Sequence, residues 1–142
     1  MYLHGQFFFG AFVSLLCVVV QAFATVIVLR MTRKASQHLS RRHPVPALTA
    51  LMAIGGTLLT ATHFVEVGIW ALAYASVSET RLQDTYYLAF ANFTTLGASI
   101  DPNADWRLLG PMSAANGMLL FGWSTAVLFA VLSRTMAILR LR

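Results

Sequence analysis

Glu66 is the residue whose chemistry most needs a location. It sits inside an apolar run, Ala47 to Val77, that holds no other Asp, Glu, Lys or Arg. A carboxylate in such a run is expensive, roughly 2.5–3.5 kcal/mol on insertion scales for Asp, and normally faces protein rather than lipid. His63 lies three residues before it and Trp70 four after it, so a helix puts all three on one face. That grouping can sense a proton, brace a neighbouring element from behind, or simply hold a neutral, hydrogen-bonded carboxyl. As metal ligands His63 and Glu66 fall short, because catalytic zinc takes three protein ligands. Taken alone, His63 fits a structural hydrogen-bonding role.

A second stretch is unusual in its backbone rather than its side chains. Asp84 to Phe93 suits a helix of about ten residues, too short to cross a bilayer. It runs into Thr94-Thr95-Leu96-Gly97, which suits extended chain. Non-helical backbone survives at membrane depth only where protein buries it or it lines a watery cavity. A half-helix followed by extended chain, entering and leaving on one side, can offer main-chain carbonyls to a dehydrated cation. Glycine permits the required angles, and threonine adds a hydroxyl oxygen. Further on, Asn116, Ser124 and Thr125 are polar positions in an apolar run. They suit either a water-filled pore or bonds to their own or a neighbouring helix. Asn92-Phe93-Thr94 matches a glycosylation sequon and reads as chance in a buried half-helix. Gln21 and Gly55-Gly56 read as packing features.

Three runs are long enough to hold these groups across a bilayer, which takes about 20 apolar residues. They are Phe7 to Leu29, Ala47 to Val77 and Leu108 to Ser133. Composition points the same way: 58% hydrophobic, 11% charged, mean hydropathy +0.69. Soluble domains carry roughly 25% charged residues, so a water-soluble globular domain is excluded. A disordered chain is excluded by the same hydrophobicity. Arg30, Arg33, Lys34, Arg41 and Arg42 follow the first run, and Arg134, Arg140 and Arg142 end the chain. Only Arg81 and Arg107 lie between the second and third runs. The positive-inside rule then places the linker and the C-terminus in the cytoplasm and the N-terminus outside. The net charge of +5 thus reflects orientation in a lipid bilayer, and no nucleic-acid partner is expected. Glu79, Asp84, Asp101 and Asp105 gather on the outer side. The first run is too long for a signal-peptide core and reads as a retained span. Cys17, the only cysteine, forms no internal disulfide. Asp101-Pro102-Asn103 reads as a turn, and Asp105 as a cap for the third span.

Asp84, Tyr87, Phe90, Thr94, Thr95, Leu96 and Gly97 together resemble the pore module of the potassium channel superfamily. There an acidic residue and an aromatic pore half-helix lead into Thr-Thr-Val/Leu-Gly-Tyr-Gly-Asp and an inner helix. Gly117, twenty residues after Gly97, falls near where the family's inner helix often bends. The resemblance covers Ala47 to Ser133. It implies an all-α membrane protein with three transmembrane helices plus a re-entrant pore half-helix and filter loop, as a homotetramer around a central pore. Residues 1–30 would be an extra N-terminal transmembrane helix and 31–46 a basic cytoplasmic linker. Residues 47–142 would be the pore module: outer helix 47–77, pore helix 84–93, filter 94–99, inner helix 106–136. The implied selectivity filter is Thr94, Thr95, Leu96, Gly97, Ala98 and Ser99. Asn116, Gly117, Ser124 and Thr125 would line the pore or gate it. Glu66 and His63 would support the filter or sense protons, and Asp101 would stand at the outer mouth. The permeant ion would be K+ or Na+, with no cofactor and no other metal. The expected location is a bacterial plasma (inner) membrane.

The departure from the family pattern is as informative as the match. Ala98, Ser99 and Ile100 stand where the family has Tyr-Gly-Asp. Ala98 cannot brace the filter as that tyrosine does. Ser99 in a left-handed conformation would be strained by roughly 1 kcal/mol or more. The expectation is a cation channel with altered or reduced potassium selectivity. Four copies would bring sixteen acidic and eight basic side chains to the outer side, concentrating cations within about 8 Å in physiological salt. Two other functions compete. One is a small proton-coupled transporter using Glu66; the other is a non-conducting, channel-like membrane protein. No Ser-His-Asp set, phosphate loop or three-ligand metal cluster is visible, so an enzyme is not expected.

Overall fold

The computed structural model describes residues 2–38, 44–78, 81–98 and 104–139. They form α1 (Tyr2–His38), α2 (Pro44–Val77), α3 (Leu82–Phe93), a 3-10 turn (Ala104–Trp106) and α4 (Leu109–Leu139). No strand occurs among the described residues. Helices α1, α2 and α4 have 37, 34 and 31 residues. At a rise of about 1.5 Å per residue each exceeds the roughly 30 Å of a hydrocarbon core. All three are apolar enough to cross a membrane, and the chain is a transmembrane helical protein. Large apolar side chains remain exposed on every long helix, among them Phe8 and Phe23 on α1, Leu72 on α2 and Phe129 on α4. Helices apolar all round suit lipid on one side and packing on the other.

The helix ends differ from the sequence expectation in ways that the local chemistry explains. Helix α1 runs to His38, so Arg30, Arg33 and Lys34 continue a helix rather than begin a linker at residue 31. Long basic side chains are good helix formers, and nothing in 30–38 breaks the run. Helix α2 begins at Pro44, which places Pro44 and Pro46 in its first turn, where a missing N–H costs nothing. Helix α3 begins at Leu82 with Asp84 in its first turn, where a carboxylate suits the exposed amides. Asp105, expected as a cap for the third span, lies in the 3-10 turn, and α4 starts at Leu109.

Helix α1 runs antiparallel to α2 and parallel to α4. Near the start of α1, Leu108 N donates to Gln6 Oε1 at 3.0 Å. Midway, the Cys17 thiol points at the Glu66 carbonyl, 3.8 Å away. One core joins Val13 and Cys17 of α1, Val67, Trp70 and Tyr74 of α2, Leu88 and Phe93 of α3, and Leu109 and Leu120 of α4. A second, smaller core of Val28, Leu59, Val127 and Val131 holds the other half. Helix α1 therefore shares both cores with the other two long helices rather than standing apart. Helix α3 inserts Thr85, Leu88, Ala89, Ala91 and Phe93 between them.

Candidate functional site

Helix α3 ends in a Schellman motif. Thr95 N donates to Asn92 O and Leu96 N to Ala91 O, both at 2.9 Å. The motif requires a left-handed residue, and here that residue is Thr95, with φ 63°. Glycine is usual at that point; an L residue in the left-handed region costs roughly 1–2 kcal/mol, and a β-branched one is an outlier. Gly97 N also donates to Ala91 O, at 3.1 Å, and Gly97 has φ 74°. Positive φ thus recurs at alternate residues, and three successive amides turn back onto the helix end. No donor among the described residues reaches the carbonyl oxygens of Thr94, Thr95, Leu96 or Gly97. Leu96 is 77% exposed. The expected extended chain over 94–97 needs correction: Thr94 and Thr95 close the helix, and non-helical chain begins at Leu96. Ala98 is half-buried against the main core. Ser99 and Asp101 lie outside the described residues.

Two contacts hold this helix end from behind, and one between α2 and α4 ties together the helices that carry them. Trp70 Nε1 donates to Asn116 Oδ1 at 3.0 Å. Asn92 Nδ2 donates to the Tyr74 hydroxyl oxygen at 2.9 Å. Gly117 lets the Phe93 carbonyl lie directly against α4; a Cβ there would overlap that oxygen and stand 2.9 Å from its carbon. Asn116 and Gly117 are accordingly buried and engaged with α2 and α3. Thr125 is exposed and donates its hydroxyl to Phe121 O, one turn back, at 3.0 Å.

Glu66 is fully buried. Its Oε2 lies 2.7 Å from His63 Nδ1. His63 Nε2 lies 3.0 Å from Ser124 Oγ, and Ser124 Oγ accepts from Gln21 Nε2 at 2.7 Å. A single hydrogen-bonded chain therefore crosses from α2 through α4 to α1. Removing either member of such a buried pair leaves the other uncompensated, which is why the arrangement is costly to break. Ser124, His63 and Glu66 also stand in the order of a Ser-His-acid triad, which the sequence spacing did not show. Gln21 donates to the Ser124 oxygen, and Ser124 lies mid-helix, where the neighbouring amides bond within α4.

A cavity of about 500 Å3 opens between α2, α3 and α4. Its walls are mainly apolar, with Phe64, Phe90, Phe93 and Phe121 prominent. Thr60, His63, Thr94, Ser124 and Thr125 are the polar points on its surface, so it joins the end of α3 to the His63 side of the chain. The Phe93 and Phe121 rings meet edge to face, 5.4 Å apart, and Phe121 meets the His63 ring at 4.7 Å.

Gln21 and Asn92 are the positions whose roles the sequence did not supply. Both are amides in apolar surroundings, and an amide in a span must find a partner. That signal was present, but the partners, Ser124 and Tyr74, are fixed only by the packing. No family model, curated protein or solved structure matches this chain.

Proposed function

We propose that the chain is one subunit of a homotetrameric channel that conducts monovalent cations, K+ or Na+, passively through the segment after α3. The observation that carries this reading is the backbone from Thr94 to Gly97. Its amides are turned into the helix end, its carbonyls meet no donor among the described residues, and its left-handed residues alternate. Carbonyl oxygens are the groups that replace a cation's hydration shell. One such segment cannot enclose an ion, whereas a symmetric ring of four can. Tyr74, Asn92 and Gly117 then act as positioning residues that fix the end of α3, and the Trp70–Asn116 bond holds α2 to α4. Ala98 and Ser99 in place of Tyr-Gly argue for weak discrimination between potassium and sodium.

Glu66 favours filter support over substrate binding. It is fully buried, with His63 between it and the cavity. A proton-coupled transporter would need that carboxyl exposed to substrate in turn. No enzymatic role is proposed for the Ser124, His63 and Glu66 set. The test is the purified protein in planar bilayers with unequal potassium and sodium. Currents whose reversal potential lies between the two equilibrium potentials support the reading. Coupled flux that appears only with a proton gradient overturns it.

A further inference from the structure

We propose that His63 and Glu66 together form a binding site for one proton, entered from the cavity, whose filling reverses the hydrogen bonds from His63 through Ser124 to Gln21. The site is complete within one subunit and stands whether or not the chain conducts.

The direction of the chain follows from counting protons. Gln21 Nε2 donates to Ser124 Oγ, so the single Ser124 proton points to His63 Nε2. Nε2 is then the acceptor, and the ring proton of a neutral His63 sits on Nδ1 and is donated to Glu66 Oε2. This direction leaves two acceptors over, Glu66 Oε1 and Gln21 Oε1. Those are two of the three buried side-chain polar atoms without a partner among the described residues. The third, Ser113 Oγ, lies about three turns away along α4.

Adding one proton to the pair gives either imidazolium with carboxylate or neutral imidazole with carboxylic acid. With the added proton on His63, or on Glu66 Oε2 with Nδ1 as its acceptor, Nε2 carries a hydrogen and donates to Ser124. The Ser124 proton must then turn towards α1. There it meets the Gln21 amide nitrogen, donor against donor, unless the amide rotates by half a turn and presents its oxygen. The rotation also gives the orphaned Gln21 Oε1 a partner. One proton enters, no heavy-atom bond changes, and two side-chain groups on two other helices reorient.

The surroundings leave the pair to act as one unit. From α1 the groups facing it are the Cys17 thiol, directed at the Glu66 carbonyl, and Gln21. From α4 the Ser124 hydroxyl and the Phe121 ring face it, and from α3 the Phe93 ring lies beside His63. His63 lines the cavity while Glu66 lies behind it, so the proton arrives on His63.

The test is infrared difference spectroscopy of the full chain in lipid nanodiscs, titrated from alkaline to acid, with glutamine side chains carbon-13 labelled. The Gln21 band is identified by its loss in Gln21→Leu. We expect the Gln21 amide carbonyl band to shift with the same midpoint as the His63–Glu66 signal. In Ser124→Ala the pair still takes up its proton and the Gln21 shift is lost. In Ser124→Thr, which keeps the hydroxyl, the shift persists and shows that the fold is intact. A Gln21 band indifferent to pH in the native chain overturns the proposal. So does a shift that survives Ser124→Ala, or a pair that takes up no proton over the whole titration.

Discussion

Gly117→Ala is the smallest change that should disable the proposed pore. The new methyl would overlap the Phe93 carbonyl oxygen and lie 2.9 Å from its carbon and 3.1 Å from the Phe93 ring. Comfortable carbon contacts begin near 3.5 Å, so the end of α3 must retreat by roughly 1 Å. The obstacle is backbone and cannot rotate away. Overpacking of this kind costs about 1–3 kcal/mol, and alanine returns about 1 kcal/mol of helix propensity. The net loss expected is about 1 kcal/mol of stability. Gly68→Ala is the control, because a Cβ there meets nothing within 4 Å; it should be neutral or slightly stabilising. Thermal unfolding in lipid, with cation flux measured on the same preparations, checks both. Because Thr94 to Gly97 continue directly from Phe93, Gly117→Ala should lose flux even where it remains folded. Equal melting temperatures and equal flux for the two variants would refute the close approach as a functional constraint.

Other outcomes follow from the same contacts. Trp70→Phe strands the buried Asn116 Oδ1 and should cost about 1–3 kcal/mol in thermal unfolding; adding Asn116→Leu should recover part of that, as a double-mutant cycle would show. Thr95→Gly relieves the left-handed strain and should raise stability by about 1 kcal/mol while lowering the potassium-to-sodium permeability ratio. Ala98→Tyr with Ser99→Gly, which installs the Tyr-Gly of the channel pattern that the sequence resembles, should raise that ratio about tenfold, the equivalent of about 1.4 kcal/mol; an unchanged ratio counts against the proposed filter. Cys17 is fully buried and should resist maleimide in the folded protein, reacting only on unfolding.

The three long helices were legible because length and apolarity alone specify them, and the start of the short one was legible from Asp84 and its aromatic neighbours. Their ends were less so. Whether the chain leaves a helix at Leu29 or at His38 depends on which residues meet water, and helix-forming Arg and Lys allow either. The role of α1 was hidden because Gln21 meets Ser124 across 103 residues of sequence. Pairings that distant are decided by how helices pack, not by any local pattern. Glu66 and His63 stood out as neighbours on one face, and the structure joins them at 2.7 Å. Gly117 was singled out as a bend or gate position; the Phe93 carbonyl against it is a different reason, one that only packing supplies. The left-handed Thr95 was the least readable feature, since propensity argues against threonine there.

The most direct test of the account is a three-dimensional map of the protein reconstituted in lipid with potassium or rubidium present. The account predicts a fourfold axis passing between the Thr95–Gly97 segments of four subunits, with ion density on that axis level with their carbonyl oxygens. An axis that leaves those segments facing lipid or water, or an assembly without fourfold symmetry, would contradict it.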